Sequence, residues 1–465
     1  MGADVHTLRR GTLAVALLGT TGLASCGKDE PEASADGSAG IASLSGTDSD
    51  GQGEHGDADG GTGIKLDVGG VDTDGPAGGD CPGGGSGQPS GEYEFSIIWV
   101  ANSPEGTVSK IDTVSATELA RYRTGPDEHP DLSPSRTSVN LLGDVAVTNR
   151  SGSVIKIAAE VDRCVDRNGN GQIETSTSPE EVLPWGEDEC VLWSHDTGFV
   201  PDPSLSNNSG GPRGTAWDAE GTACAATPNV WVGFRKQPHE PASIVRKLDG
   251  QTGMTLGEAE IEHPAGSWGH GLTYGGAVDA DGAYWGLGLG SPLILVRVDG
   301  QTYESDVWTL PPDNSQQGYG IALDADGNPW IAGWNNHIIY FDRATETFDD
   351  KGASGGDGRL RGLAIDQEGN AWIARSHGSC ALVRYDTNAD VLVDGNILLP
   401  GCQTPVGVSI DADGMVWVVD RDASLAYKLD PQDYSTVIVE GLVSPYTYSD
   451  MTGAGLALVV NPPPA

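Results

Sequence analysis

A segment that begins at Cys164 alternates oxygen-bearing side chains with other residues, as calcium-binding loops do. In the run VDRNGNGQIETS, carboxylate or amide groups recur at every second position, and a glycine follows the third of them. Calcium takes about six to eight oxygen ligands in such loops, with glycine at the sharp turn. The predicted ligands are Asp166, Asn168, Asn170, the Gln172 carbonyl, Glu174 and Thr177, with Glu180 and Glu181 as alternatives to Glu174 for completing the set.

The loop departs from an EF-hand because Thr177 stands where glutamate is usual, and flanking helices are not evident. Only one of the three leading ligands is charged. We therefore expect a weak site, with a dissociation constant on the order of 10⁻⁴ to 10⁻³ M, that stabilises the loop. The alternative is a metal-free Asn-Gly turn held by a disulfide between Cys164 and Cys190.

Arginine and aromatic side chains recur at equivalent positions of an internal repeat, although only 26 of the 465 residues are lysine or arginine. Arginine binds carboxylate or phosphate through two parallel hydrogen bonds, and aromatic rings stack on sugars. The predicted mouth residues are Arg213, Tyr274, Tyr319, Trp334, Arg361, Arg375 and Asp420. They predict a site for an anion or a sugar. The alternative is that the arginines form structural salt bridges with aspartates of neighbouring turns.

Two histidines, His270 and His377, lie close to these positions in the sequence. A histidine can act as a general base if its geometry and pKa suit the reaction, and neither is readable from the sequence. Both are therefore weak catalytic candidates, and a lone histidine is more often structural.

Four segments align without gaps, and they are spaced by 45, 42 and 45 residues. Each has a short strand, an Asp-x-(Asp/Glu)-Gly turn and a second strand that carries tryptophan. The segments begin at Gly275, Gly320, Gly362 and Gly407. Because the turn recurs in every unit, we interpret it as a hairpin rather than as a calcium loop. A period of 40 to 45 residues with four strands is typical of β-propeller blades.

Weaker copies of the repeat begin at Gly214, Ser135 and Ile97. The first copy lacks an opening strand, and the segment from Tyr448 lies one repeat length after Gly407. A C-terminal strand would therefore close the ring. The sequence predicts an all-β, seven-bladed β-propeller over residues 92–465, with an insertion at about 158–212.

The repeat resembles those of NHL and YncE-like propellers, and most closely those of virginiamycin B lyase-like proteins, on the segments DADGNPW and DQEGNAW. The resemblance implies a C–O lyase that uses magnesium and a histidine base. The acidic positions that hold the metal in that family match Asn102, Gly288, Gly333, Arg375 and Asp420. Only the last of these is acidic, so the catalytic pattern does not carry over.

The N-terminus has the features of a signal peptide. Arg9 and Arg10 precede a short apolar run, which is too short for a stop-transfer helix. The run ends in Leu-Ala-Ser-Cys and resembles a bacterial lipobox, so we predict a signal peptide at 1–25 and lipidation of Cys26. The alternative is an ordinary signal peptide with a chance cysteine. Since Gly27 follows, resemblance to Gram-negative lipoproteins favours the outer membrane.

Residues 26–91 are rich in Gly, Asp and Ser and poor in large apolar residues, so we predict a disordered linker. The formal charge of −41 argues against a nucleic-acid partner and against lying flat on anionic lipid.

Six cysteines remain after the lipobox cysteine, an even number that suits three disulfides in an exported protein. Pairing nearest neighbours predicts Cys164–Cys190 and Cys380–Cys402. This leaves Cys81–Cys224 as the third pair.

The sequence therefore favours a lipid-anchored envelope protein, monomeric as a domain, whose propeller is a binding platform stabilised by calcium. The possible partners are an envelope protein, a glycan or a small anionic ligand. Two alternatives stay open, a virginiamycin B lyase-like enzyme with magnesium and a purely structural envelope protein.

Overall fold

The computed structural model describes residues 96–126, 131–205, 209–219, 228–265, 268–310 and 317–463. The predictions on the signal peptide, Cys26, the linker and Cys81–Cys224 concern residues outside these ranges. Where the chain is described, its helices are all too short or too polar to traverse a bilayer.

Seven antiparallel sheets follow one another along the chain, and within each sheet neighbouring strands pair as a meander. We number them blades 1 to 7. Blade 1 has the strands Ile97–Asn102, Thr107–Asp112 and Thr117–Arg123. Blade 2 has Pro134–Val139, Val145–Asn149, Ser153–Ile157 and Val191–Asp196. Blade 3 has Thr215–Trp217, Val230–Arg235, Ala242–Leu248 and Thr255–Glu262.

The four remaining blades match the four aligned repeats. Blade 4 has Gly275–Val278, Tyr284–Leu287, Ile294–Val298 and Ser305–Thr309. Blade 5 has Gly318–Leu323, Pro329–Gly333, His337–Asp342 and Thr347–Ala353. Blade 6 has Arg359–Ile365, Asn370–Ser376, Ala381–Asp386 and Val391–Ile397. Blade 7 has Pro405–Ile410, Val416–Asp420, Leu425–Leu429 and Thr436–Val439.

Short elements complete the fold. A two-stranded pair beside blade 4 and two 3₁₀ turns lie in the connections. The strand pair is Trp268–Gly269 with Gly290–Ser291. The 3₁₀ turns are Ser103–Glu105 and Val161–Arg163. The predicted insertion at 158–212 contains the fourth strand of blade 2, so it is two loops rather than one.

The first aspartate of each aligned turn has a structural task. In blade 6, Asp366 Oδ1 accepts the backbone N–H groups of Glu368 and Asn370 at 3.0 and 2.8 Å, and Oδ2 accepts Trp372 Nε1 at 2.8 Å. The same aspartate–tryptophan bond recurs at 2.8 to 3.0 Å in blades 4, 5 and 7. The repeated Asp and Trp thus fasten the turn to the second strand, which supports the hairpin interpretation.

The C-terminal segment closes the ring beside the first strand of blade 1. Trp99 N–H donates to the Met451 carbonyl at 3.0 Å, and Tyr446 N–H donates to the Ala101 carbonyl at 2.9 Å. The closure is irregular apart from one bridge, Asn102–Pro445. The predicted ring closure is therefore confirmed, and it leaves blade 1 without a regular fourth strand.

The last part of this segment, predicted as strand, is instead the helix Ala454–Val460. Gly453 turns the chain with φ of 89°, and the Asp450 carboxylate accepts the N–H groups of Gly453 and Leu456 at 2.8 and 2.9 Å. The buried Leu456 and Val459 join the apolar core of blades 2 to 5. The helix therefore caps one end of the channel that the inner strands surround.

Candidate functional site

The inner strands converge on the channel, and bulges aim side chains into it. In blades 2, 5, 6 and 7 the pairing of first and second strands shifts near the start of the inner strand. A bulge leaves one residue unpaired and re-aims its side chain. In blades 2 and 5 this residue is Ser135 and Tyr319, and in blade 6 the shift spans Arg361 and Gly362.

A glycine follows the bulged residue because adjacent inner strands approach closely here. A Cβ on Gly320 would lie 2.4 Å from the carbonyl oxygen of Arg361, and one on Gly407 would lie 2.0 Å from that of Thr447. The aligned glycine of the repeat is thus required by the ring. Blade 2 has Arg136 at the equivalent position.

Arg136 is fully buried in the channel. Its Cζ lies 3.0 Å from the ring centroid of Tyr448 and 4.8 Å from that of Tyr274. It donates to the carbonyl oxygens of Ser135 and Tyr274 at 2.7 and 3.2 Å, while its Nε has no partner among the described residues. Burial lowers the pKa of Arg136 to about 9, against the opposing influence of nearby tyrosines. Sequence reasoning missed this residue, although its replacement of an aligned glycine was the available signal.

Three tyrosine hydroxyls lie together near Arg136. The hydroxyl of Tyr446 lies 3.0 Å from that of Tyr274 and 2.5 Å from that of Tyr319. The ring of Tyr319 stacks between Trp334 and Tyr448, with centroid separations of 5.0 and 4.9 Å. Tyr446 and Tyr448 come from the closing segment and were not predicted.

Three more arginines surround the tyrosines. Arg150 Cζ lies 4.4 Å from the ring centroid of Tyr446, and Arg213 Cζ lies 5.2 Å from that of Tyr274. Arg361 donates to the Tyr319 hydroxyl at 2.8 Å. We call this set the arginine–tyrosine mouth. It comprises Arg136, Arg150, Arg213, Arg361, Tyr274, Tyr319, Tyr446 and Tyr448.

Arginines of the mouth differ from others in the chain in whether a carboxylate balances their positive charge. Arg136, Arg150 and Arg361 are at most 7% exposed, and none pairs with a carboxylate in the described part of the chain. By contrast, Arg343 of blade 5 pairs with Asp279 at 3.3 Å. The salt bridges to neighbouring turns, which were the alternative interpretation, are therefore absent for these three arginines over the described ranges.

Two residues predicted for the mouth instead bond to loops. Arg375 donates to the Gly395 carbonyl and to Asn396 Oδ1 at 2.6 and 2.9 Å. Asp420 accepts the N–H groups of Gln403 and Thr404, both at 2.8 Å. Their hydrogen-bonding groups are thus occupied in holding backbone.

The two candidate histidines lie at the rim of the mouth. His270 Nδ1 is 2.9 Å from Ser209 Oγ, and burial together with Arg213 and other arginines lowers its pKa to about 4. His377 Nδ1 is 2.8 Å from Arg361 Nη2, and desolvation followed by that arginine lowers its pKa.

Clustered metal-binding groups are scarce in the described ranges. Among the described residues, Cys380, Cys402 and Asp420 are the only three His, Cys, Asp or Glu side chains that converge closely enough to hold a metal ion. Those two cysteines form a disulfide.

The predicted calcium ligands converge in part. Asp166 accepts the N–H groups of Gly169 and Gly171 at 2.6 and 2.9 Å. The side-chain amides of Asn168 and Asn170 both donate to Glu174 at 2.7 Å.

Other residues fix the ends of this loop. Thr177 donates to Glu181 at 2.8 Å instead of joining these groups. Glu189 accepts the N–H groups of Arg167 and Glu174 at 2.7 and 3.0 Å, and the bond from Glu174 is the largest cause of its lowered pKa. Sequence reasoning missed Glu189.

Both testable disulfide predictions are confirmed. Cys164 bonds to Cys190 and holds the loop of the predicted calcium ligands against blade 2. Cys380 bonds to Cys402 and joins blade 6 to the chain entering blade 7.

No family model and no curated protein matches the sequence. A protein from Lactobacillus plantarum superimposes with a TM-score of 0.50 at 13% identity, over 76% of this chain and 97% of that one. A streptogramin B lyase gives 0.49 at 16% identity over 70% and 88%. Virginiamycin B lyase from Staphylococcus aureus gives 0.46 at 13% over 70% and 93%. These similarities concern fold, and the chain is a seven-bladed β-propeller whose structural neighbours include virginiamycin B lyases.

Proposed function

We propose that this chain is an exported lipoprotein whose propeller binds a small anionic ligand at the arginine–tyrosine mouth. The ligand class is a carboxylate, a phosphate or sulfate ester, or an acidic glycan. The lipobox at Cys26 would anchor the protein to the outer membrane, and residues 26–91 would tether the propeller.

One observation carries the proposal: Arg136, Arg150 and Arg361 are buried together at the mouth, and none of the three pairs with a carboxylate among the described residues. A buried ion without a counter-ion costs several kcal/mol, so folded proteins usually supply one. The chain has 67 acidic residues from which to supply it. A ligand that brings negative charge would compensate Arg136, Arg150 and Arg361 instead.

Unsatisfied polar atoms in the same place support this proposal. Ser135 Oγ, Arg136 Nε, Arg150 Nε and the Tyr448 hydroxyl have no hydrogen-bond partner among the described residues. Buried polar groups are rarely left unpaired, since each costs about 1 to 3 kcal/mol. Their concentration at one end of the channel favours a bound polar group there.

The lyase alternative receives no specific support from the site. The aligned positions offer one carboxylate, Asp420, and it accepts backbone hydrogen bonds. His270 is flanked by arginines rather than by carboxylates. For these reasons we propose binding rather than elimination chemistry.

Calcium has a secondary part in the proposal. Asp166, Asn168, Asn170 and Glu174 would bind the ion and stiffen the loop next to blade 2. This role is structural, and the mouth does not depend on it.

Isothermal titration of the full chain in detergent with sulfate, phosphate and glucuronate tests the mouth. We expect one of these anions to bind at one site, and Arg150→Gln to weaken binding tenfold or more because a charged hydrogen bond contributes about 1.5 to 3 kcal/mol. Arg246→Gln is the matched control, since Arg246 pairs with Glu258. Equal affinities in both variants, or no heat with any anion, would refute the proposal.

Anchoring needs its own test. Cells that express the chain and are fed radioactive palmitate should label it, and Cys26→Ser should remove the label. Labelling of that variant would contradict the anchor.

A further inference from the structure

The hydroxyl of Tyr446 lies between two other tyrosine hydroxyls. It bonds to Tyr274 and Tyr319, and Arg361 donates to the Tyr319 oxygen. Because Arg361 occupies one acceptor position of Tyr319, the Tyr319 proton is free to be donated to the Tyr446 oxygen, and Tyr274 can donate to it as well. A phenolate at Tyr446 would accept both hydrogen bonds, and hydrogen bonds to the charged form favour that form.

The distance between the oxygens is compatible with a charged acceptor. The separation of 2.5 Å between Tyr446 and Tyr319 is within the range of about 2.5 to 2.7 Å for a hydroxyl bonded to an anionic oxygen. Tyr446 is the central member of the triad, so it is the oxygen that both neighbours can stabilise.

The surrounding charge favours an anion at Tyr446. Arg150 and Arg136 lie with Cζ 4.4 and 5.9 Å from the Tyr446 ring centroid. Desolvation alone would raise the pKa of Tyr446, but these two arginines and the two hydroxyl donors outweigh it and lower the pKa to about 7.

The titratable and charged groups that face Tyr446 come from several blades. They are Arg136 and Arg150 of blade 2, Tyr274 of blade 4, Tyr319 of blade 5, Arg421 with its partner Asp422 of blade 7, and Tyr448 of the same segment. A second layer comprises Arg213, His270, Arg361 and His377.

We propose that Tyr446 is the internal counter-anion of the arginine–tyrosine mouth, and that an external anion binds in exchange for protonation of its phenolate. This inference rests on the proposed function, and it adds that pH regulates the binding of the anion. With the mouth empty, the phenolate compensates the arginines. When a ligand anion enters, Tyr446 takes up one proton from solvent, because the arginines then have another counter-ion.

Proton uptake sets the pH dependence of binding. Since the folded-state pKa is near 7, Tyr446 is mainly neutral at pH 6 and mainly a phenolate at pH 8. Affinity for sulfate should therefore fall about tenfold between these pH values. His270, with its pKa lowered to about 4, stays neutral throughout.

The phenolate is tested first, without a ligand, by ultraviolet titration of the full chain. One of its 12 tyrosines should ionise near pH 7 in the wild type and in the control Tyr434→Phe, but none in Tyr446→Phe. In Arg150→Met, which keeps Tyr446, the transition should move to higher pH. If no tyrosine of the folded wild type ionises below about pH 9, the inference is wrong.

Coupling is tested by sulfate calorimetry at pH 8 in two buffers of different ionisation enthalpy. We expect uptake of nearly one proton per sulfate in the wild type, and in Tyr446→Phe an affinity that is equal at pH 6 and 8. Sulfate binding without proton uptake overturns the coupling and leaves the anion site standing. If sulfate, phosphate and glucuronate all fail to bind, the coupling falls together with the proposed function, whatever Tyr446 does.

Discussion

The two ends of the channel are built from the same inner strands but filled with opposite chemistry. At one end lie the arginines and tyrosines of the mouth. At the other, the helix Ala454–Val460 buries leucine and valine against the strands. Between them a cavity of about 60 Å³ is bordered by Ser138, Ile321 and Leu456 among others. The apolar end explains the stability of the ring, whereas the charged end adds nothing to stability that apolar residues would not supply better. The helix end therefore stabilises the ring, and the mouth is the end at which we propose that an anion binds.

Removing the closing segment should have the largest effect. Deletion of residues 447–465 takes away the Trp99–Met451 hydrogen bond beside blade 1 and the buried Leu456, Leu458 and Val459. Each such side chain contributes about 1.5 to 3 kcal/mol on burial, so we expect loss of cooperative thermal unfolding. Circular dichroism measures this, with deletion of residues 462–465 as the control. A truncated chain that melts like the wild type would show that the closure is dispensable.

Substitutions at the two ends of the channel should have different effects on the free energy of unfolding. Leu456→Ala should cost about 2 to 5 kcal/mol because it leaves a cavity. Arg136→Met should leave the free energy of unfolding unchanged or higher, since it removes a buried charge without a carboxylate partner, while abolishing anion binding. Denaturant unfolding measures both. A loss of more than about 2 kcal/mol in Arg136→Met would make that arginine structural.

Calcium should have the smallest effect, since its loop lies apart from both ends. For a dissociation constant of roughly 10⁻⁴ to 10⁻³ M, about 10 mM calcium stabilises by roughly 1.4 to 2.7 kcal/mol. Differential scanning calorimetry should show a rise of a few degrees, lost in Asp166→Ala and kept in Asp202→Ala. No rise in the wild type would count against the site.

The ring was predictable from the sequence because its physical requirements recur. Asp366 and Trp372 bond in the same way as their counterparts, and the aligned glycines permit close approach of strands. The helix was not predictable, since a short apolar run such as GLALVV has no period that separates helix from strand.

The mouth was predictable only in part. Tyr274, Tyr319 and Arg361 were found because they precede an aligned glycine. Arg136 replaces such a glycine, so only its departure from the repeat could have revealed it. Tyr446 belongs to a segment without the repeat, so the alignment carries no signal for it.

Alignment also cannot give the direction of a side chain at the end of a strand. Arg375 and Asp420 follow the tryptophan strand as predicted, but they bond to loop backbone. Their partners come from long-range packing, which the repeat does not encode.

Crystals grown with selenate would show whether Arg136, Arg150 and Arg361 hold an anion. Selenium gives an anomalous signal that both identifies the ion and locates it. We predict a selenium peak in the mouth, with selenate oxygens within hydrogen-bond distance of Arg136, Arg150 or Arg361, and no such peak in crystals of Arg150→Gln. A mouth without selenate, in crystals that bind the ion elsewhere on the surface, would contradict the proposed anion site.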